Sequence, residues 1–179
     1  MAAALPATAA PSLHVRRLAP DDGALVQAFV GGLSAHARRQ RFHGALNELS
    51  PRQLDIIIGA ADPRALSLVA FAAHAAHLPV VALAQYAVDE SGTGEFAIVV
   101  GDAWQGLGIG RRLLRVLLAH AERRGIATIH GCIDPSNHRM RALAASAGFA
   151  PVHSPDPAHV RVQWRSRRSG RRATLQAVR

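Results

Sequence analysis

The stretch Gln105-Gly106-Leu107-Gly108-Ile109-Gly110-Arg111-Arg112 determines how the rest of the chain is interpreted. Its three glycines stand between a β-favouring segment that ends at Val100 and the clearest helical segment of the sequence. Because glycine has no Cβ, the backbone N–H groups of such a loop can approach a ligand closely. The first N–H groups of a helix lack partners within the helix and attract phosphate, and the two arginines add positive charge. The stretch is therefore a candidate phosphate-binding loop.

Two common nucleotide-binding loops do not fit this stretch. A P-loop ends in Gly-Lys followed by Ser or Thr, and the chain contains no lysine. A dinucleotide fingerprint places its third glycine three positions after the second, within a parallel unit, whereas here the spacing is two and the preceding strands are predicted to be antiparallel. The glycines alone leave a purely structural turn open, so the surrounding sequence decides between a turn and a ligand site.

The segments after the loop alternate between helical and extended patterns. Apolar residues recur at helical spacing from Ile109 until Gly125, which follows Arg123 and Arg124 as a stop signal. A strand at 126–133 and a turn at 134–137 come next, and the last predicted elements are a helix at 138–147 and strands at 149–152 and 159–164.

The segments before the loop contribute helices first and strands afterwards. A strand at 13–18 precedes a helix that begins after Pro20-Asp21-Asp22, and a second helix begins at the cap Ser50-Pro51. Three meandering strands follow, at 65–73, 80–88 and 95–100. This order of elements predicts an α/β (α+β) domain with a mostly antiparallel sheet.

The composition points to one metal-free domain. The chain has 179 residues, of which 49% are apolar, enough for one core and too few residues for two ordinary catalytic domains. No segment resembles a secretory signal or a membrane span, so we expect a cytoplasmic protein. Cys132 is the only cysteine, which excludes a cysteine-rich metal site, and His74 and His77 are expected on opposite faces of a strand. We expect disorder at 1–11 and one domain at 12–166.

The net charge of +9 is carried on its basic side by arginine alone. Arginines accumulate toward the C-terminus, and we interpret 167–179 as a basic, solvated tail. Because no aromatic residues are interleaved with these arginines, nucleic acid is not the expected partner.

Several blocks together resemble the GNAT superfamily of N-acetyltransferases. The loop at 105–110, the strand at 95–100 before it, and Asn137 and Gly148-Phe149 after it carry this resemblance. Within the superfamily the sequence is most similar to the acetyltransferase domain of bacterial Pat-type protein lysine acetyltransferases. The blocks that carry this finer similarity lie at 33–42, 49–50, 94–100, 102–106 and 156–157.

The resemblance implies a mixed, mostly antiparallel sheet of six to seven strands, flanked by about four helices. The sheet would have a V-shaped split between the strands at 95–100 and 126–133, which admits the pantetheine of acetyl-CoA. The residues implied to hold this co-substrate are Ile98, Val99, Val100, Gln105, Gly106, Leu107, Gly108, Ile109, Gly110, Arg111, Asn137 and Met140. Asn137 is also a good helix N-cap and Met140 a good core residue, so these two assignments stay open.

Glu95 is the residue that the resemblance implies as general base. Acetyl transfer requires a neutral amine, whereas a lysine amine with a pKa of about 10.4 is mostly protonated at pH 7. We expect Glu95 to be buried among Phe96, Tyr86 and Trp104, surroundings in which a carboxylate is a better proton acceptor. The alternative is a solvated glutamate at the strand edge.

Two further positions bear on the chemistry. Many GNAT enzymes have a tyrosine in the helix before Gly148, where it protonates the leaving thiolate, and Ala144 stands at that place here. The general acid therefore remains open. Cys132 is expected to be a buried and inert strand cysteine.

The expected acceptor is a protein lysine, and the resemblance implies acyl-CoA synthetases as the class of target protein. A small amine is the alternative acceptor, and a catalytically idle acetyl-CoA-binding module is the alternative from a different class. We expect a monomer or homodimer without a membrane partner.

Overall fold

The computed structural model describes residues 11–42, 44, 48–59, 62–73 and 78–166, which form an open sheet with helices on both faces. The strands are β1 Leu13–Arg17, β2 Leu66–Ala72, β3 Val80–Val88, β4 Thr93–Val100, β5 Thr128–Ile133, β6 Ala150–Val152 and β7 Val160–Arg165. The α-helices in these ranges are α1 Gly23–Gly31, α2 Ala35–Phe42, α3 Pro51–Ile58, α4 Ile109–Arg123 and α5 His138–Ser146. The pair His74 and His77, residues 1–10 and the basic tail at 167–179 lie outside the described residues.

The strands follow the order β1-β2-β3-β4-β5-β7-β6. Neighbouring strands are antiparallel except β4 and β5, which run parallel because the helix α4 returns the chain between them. The predicted α/β (α+β) fold with a mixed, mostly antiparallel sheet is confirmed, and the sheet has seven strands.

Successive side chains of a strand point to opposite faces of the sheet, and each face has its own helices. One face carries Tyr86, Phe96 and Ile129 and is covered by α4 and α5. The buried residues of α4 lie at helical spacing and are Ile109, Leu113, Leu114, Leu117, Leu118 and Ala121. The opposite face of β2, β3 and β4 is covered by α1, α2 and α3, so the two clusters enclose the middle of the sheet.

Helix α2 is not predicted by the sequence pattern, and it raises the helix count from about four to five within the described ranges. Only Ala37 of this helix is buried, so it lacks the apolar stripe by which a helix is recognised. Ser34 instead fixes its start: the hydroxyl accepts a bond from the Ala37 N–H at 3.1 Å and donates to the Asp102 carboxylate at 2.6 Å. Because Asp102 directly follows β4, this contact holds α2 next to that strand.

The predicted split lies between β4 and β5. These strands pair only at Thr93 with Thr128, Gly94 with Ile129 and Glu95 with His130, and beyond these three pairs they separate. At the start of the separation, the Phe96 ring lies where a side chain on Gly131 would stand: a Cβ there would be 2.2 Å from the ring. Position 131 therefore requires glycine, because the Phe96 ring leaves no space for a side chain.

We predict that Gly131→Ala destabilises the protein. The added methyl group overlaps the Phe96 ring, which also packs against Phe149 at 4.7 Å between centroids and has little room to move. Overpacking of this kind costs about 1–3 kcal/mol, and the melting temperature should fall by several degrees in thermal unfolding. Gly23→Ala is the control, because a Cβ at that helical position meets nothing within 4 Å. Equal melting temperatures for the two variants would contradict the packing described for the split.

Candidate active site

The edge of β4 that faces the split carries backbone N–H groups that are free of strand pairing. The Gly101 N–H donates to the Val81 carbonyl on β3 at 2.9 Å. Because the N–H groups alternate along a strand, that of Val99 also faces β3, while those of Ile98 and Val100 face the split. Of the three β4 residues expected at the co-substrate, two thus direct a donor into the split and Val99 does not.

The loop after β4 leaves a run of donors at one point. Gly106 and Gly108 have φ of 80° and 77°, the left-handed region that favours glycine. The first helical bond of α4 runs from the Arg112 N–H to the Gly108 carbonyl, at 3.1 Å. No acceptor in the described part of the chain receives a bond from the backbone N–H groups of residues 106–111. Such a run of N–H groups at a helix start, beside the exposed Arg111, can bind an anion.

The apolar side chains of the loop anchor it. Ile109 is 2% exposed within the core, and Leu107 packs partly buried against the same cluster. Gly110 lies where α4 approaches both sides of the split: a Cβ would be 3.0 Å from Leu143 of α5 and 3.6 Å from Val100. The backbone of the loop at 105–110, which is expected to bind the co-substrate, is therefore held in place by the packing of Leu107, Ile109 and Gly110 against the core.

The start of α5 forms the second side of the split. The Asn137 Oδ1 accepts a bond from the Met140 N–H at 3.0 Å, so Asn137 is the N-cap of α5. Met140 is half-buried against the apolar cluster under α4. Both structural roles that the sequence left open are thus observed, and a ligand role for either residue remains a prediction.

Arg139 connects the two sides of the split, and the sequence did not identify it. Its Nη1 donates to the Gln105 Oε1 at 3.2 Å, and the Gln105 Nε2 donates in turn to the Val100 carbonyl at 3.1 Å. An exposed guanidinium from α5 therefore lies at the entrance of the loop with the unpartnered N–H groups. The contact joins residues 34 positions apart, and local pattern does not predict it.

Glu95 is not buried among aromatic residues as expected. Phe96 and Tyr86 form a cross-strand pair inside the core, whereas Glu95, the next residue along β4, points to the opposite face and is exposed. Trp104 lies after the other end of β4. The alternation of side chains along a strand explains this error, since residues 95 and 96 cannot share a face.

Glu95 lines a cavity of about 390 Å³ on that opposite face. The cavity lies between the start of β4, the strands β5 and β7, and the 154–159 loop. Its ionisable residues are Asp89, Glu95, His130, Cys132, Asp156, His159 and Arg161. Cys132 is exposed here, so the expected burial of this cysteine is wrong. It stands two residues after His130 on the same face of β5.

Two carboxylates of the cavity are held in their charged form. Hydrogen bonds from the Ser91 hydroxyl and from the Thr93 N–H lower the pKa of Asp89. A hydrogen bond with His159, at 2.7 Å, lowers the pKa of Asp156. The cavity thus holds three carboxylates, from Asp89, Glu95 and Asp156, beside the guanidinium of Arg161.

Helix α2 brings a cation toward Glu95. Burial lowers the pKa of Arg41 to about 10, and the charge of the Glu95 carboxylate opposes this shift. Arg41 therefore stays protonated at neutral pH and places a positive charge near the Glu95 carboxylate. The sequence analysis included Arg41 in the block at 33–42 that resembles the family, but it did not predict that Arg41 lies near Glu95.

Other groups contribute little to the chemistry. Ala144 has only a methyl side chain and is fully buried in the core, so position 144 supplies no proton to a thiolate. Within the described ranges, no cluster of three or more His, Cys, Asp and Glu side chains could hold a metal ion. None of the described helices has the length and apolarity needed to cross a bilayer.

The family is established by comparison with known proteins. The model of the acetyltransferase (GNAT) family matches residues 32–149. The acetyltransferase PA5475 of Pseudomonas aeruginosa is 31% identical over 143 residues, which cover 79% of this chain and 77% of that protein.

Solved structures share the fold at lower identity. The GNAT domain of S. lividans PAT has a TM-score of 0.77 and 24% identity, with 85% of this chain and 89% of that chain covered. A spermidine N-acetyltransferase from Vibrio cholerae, solved with CoA and spermine, has a TM-score of 0.64 and 15% identity, with 84% and 92% covered. The chain belongs to the acetyltransferase (GNAT) family and is an acetyl-CoA-dependent N-acetyltransferase.

Proposed function

We propose that this enzyme transfers the acetyl group of acetyl-CoA to lysine side chains of a protein, with Glu95 as the general base. The observation that carries the proposal is the position of Glu95 at the last β4–β5 pair, where the split begins, in a cavity with two further carboxylates. The three carboxylates of this cavity outnumber its arginine, Arg161, and attract an ammonium group, and a lysine side chain enters the cavity as a single extended chain.

In this proposal acetyl-CoA lies along the split. The N–H groups of Ile98 and Val100 bind the pantetheine, and the N–H groups of residues 106–111 bind the pyrophosphate. Arg111 supplies charge to the same phosphates, and Asn137 and Met140 contact the pantetheine from α5. The Nδ2 of Asn137 forms no hydrogen bond with the described residues, which leaves a donor for this contact.

The chemistry then needs no covalent enzyme intermediate. Glu95 takes a proton from the acceptor ammonium, and the freed amine attacks the thioester carbonyl carbon. A backbone N–H near Ile98 stabilises the oxyanion, and collapse of the tetrahedral intermediate breaks the C–S bond. The nitrogen newly bonded to the acetyl carbon gives its second proton to solvent. The thiolate receives a proton from solvent, because position 144 carries no acidic side chain.

A small amine is the second candidate acceptor. The spermidine N-acetyltransferase of Vibrio cholerae, solved with spermine, shares the fold, and polyamines are cationic like lysine. Charge in the cavity therefore favours cationic acceptors in general. An experiment that separates protein acceptors from small amines has to decide between the two.

The direct test uses radiolabelled acetyl-CoA and a cell lysate separated into proteins and small molecules. We expect the label on lysines of the protein fraction; because the enzyme contains no lysine, none of that lysine label is its own. Glu95→Gln should lower the transfer rate about 10²- to 10⁴-fold, the usual contribution of a general base. Glu90→Gln, an exposed residue in the β3–β4 turn, is the matched control.

Two results would contradict the proposal separately. Label that appears only in the small-molecule fraction would exclude a protein acceptor and favour the polyamine-type reaction. Transfer by Glu95→Gln at the rate of Glu90→Gln would show that Glu95 is not the base, whichever fraction carries the label.

A second prediction concerns Arg139. We expect the Arg139 guanidinium to leave Gln105 and bind the pyrophosphate when acetyl-CoA binds. Arg139→Gln should then raise the KM for acetyl-CoA about tenfold, which is the effect of losing one charge-assisted hydrogen bond. The kcat should stay close to that of the wild type. Acetyl-pantetheine, which has no phosphates, should show the same KM with both proteins.

Arg123→Gln, at the exposed far end of α4, is the control for charge alone. A KM increase of equal size for acetyl-pantetheine would contradict a phosphate contact and indicate a structural role for Arg139 instead.

A further inference from the structure

His130 has an unused hydrogen-bonding group beside the proposed base. Its Nδ1 is buried and forms no hydrogen bond with any described residue. A buried polar atom without a partner is costly, and a catalytic role is one of the reasons for which native proteins retain such atoms. An imidazolium needs acceptors for both of its N–H groups, so the missing partner favours the neutral ring.

The sheet places His130 next to Glu95. The two residues are partners in the last β4–β5 pair, so their side chains leave the same face of adjacent strands. Both line the cavity proposed for the acceptor. The exposed Glu95 can reach a substrate there, whereas the Nδ1 of the neighbouring His130 is shielded from solvent.

The charges around His130 are mixed. Burial lowers the pKa of His130, the Arg161 charge acts in the same direction, and Asp89 and Glu95 act against it. Arg165 of β7 also lowers it. The ring is therefore neutral at pH 7. The carboxylates of Asp89 and Glu95 would stabilise a positive charge on it.

We propose that His130 acts through Glu95 as a proton relay: the Nδ1 lone pair receives the proton that Glu95 removes from the acceptor amine. The inference rests on the proposed function only in that the acceptor is an amine whose proton Glu95 takes.

The relay adds a stronger base to the path of the proton. A carboxylate is a weak base toward an ammonium group, whereas an imidazole is a stronger one. The N–H bond of the ammonium breaks toward the Glu95 carboxylate, and the resulting carboxyl passes its proton to Nδ1. The carboxylate is thereby restored and faces the imidazolium, and the amine keeps the electron pair with which it attacks the thioester. After transfer, the proton leaves Nδ1 through the exposed Glu95 carboxylate to solvent, which restores the tautomer with hydrogen on Nε2.

The first test measures kcat against pH for wild type and His130→Gln, with acetyl-CoA and a blocked peptide that contains one lysine. Wild-type kcat should rise with pH below about 6.5, the ordinary imidazole value, because the pKa is lowered and the relay works only when the ring is neutral. His130→Gln should lower kcat about ten- to a hundredfold at neutral pH and abolish this rise, leaving an increase toward alkaline pH as hydroxide takes the proton. His14→Gln, the same change on β1 at the far edge of the sheet, is the control.

The second test needs no turnover and applies to the folded protein alone. Imidazole ¹⁵N NMR, assigned by difference with His130→Gln, should show the tautomer with hydrogen on Nε2 and a free Nδ1. In Glu95→Gln the His130 pKa should fall further, because a carboxylate that favours the imidazolium is lost.

Hydrogen on Nδ1, or a pH profile of His130→Gln equal to that of the wild type, would overturn the relay. Failure of the proposed protein acceptor is a separate result. If the wild type acetylates spermine and not the peptide, the same pH profiles measured with spermine test the relay unchanged. Acetyl-CoA should raise the melting temperature of His130→Gln as it does that of the wild type, which separates a lost relay from a lost fold.

Discussion

The pairing of β4 with β5 stops after three residue pairs, and the candidate site depends on this interruption. Up to Glu95 and His130 the strands share backbone hydrogen bonds, so these side chains are fixed side by side on one face. Beyond them the strands separate, and at Ile98 and Val100 the edge of β4 keeps N–H groups that pair with no described strand. The end of β4–β5 pairing thus produces a split lined by backbone N–H donors. At the closed end of the split it places Glu95 and His130, the residues proposed for proton transfer.

The two sides of the site differ in their charged groups. The loop at 106–111 presents N–H groups that bond to no described residue, with Arg111 and Arg139 nearby, to the side where phosphates are expected. The cavity around Glu95 instead collects carboxylates, two of which are kept ionised by hydrogen bonds from their own turns. An anionic donor and a cationic acceptor would therefore be guided to different sides of one sheet, and the transferred group would meet the amine where β4 and β5 part.

Local sequence predicted the elements and the loop because their signals are local. The apolar spacing of α4, the cap at Ser50 and the glycines at 106 and 108 each act within a few residues. Helix α2 escaped prediction because its stability comes from the Ser34–Asp102 contact, which joins residues 68 positions apart. The surroundings of Glu95 were predicted wrongly although the alternation along β4 already separates it from Phe96. Arg41, His130 and Arg139 could not be placed without the tertiary pairing of distant segments.

Amide hydrogen exchange along β4 tests most directly whether the split is the acetyl-CoA site. The N–H groups of Ile98 and Val100 face the split, whereas that of Val99 faces β3. Saturation with acetyl-CoA should slow exchange at Ile98, Val100 and residues 106–111 and change Val99 much less. Unchanged exchange at Ile98 and Val100, in a protein that acetyl-CoA stabilises against heat, would contradict this account and place the co-substrate elsewhere.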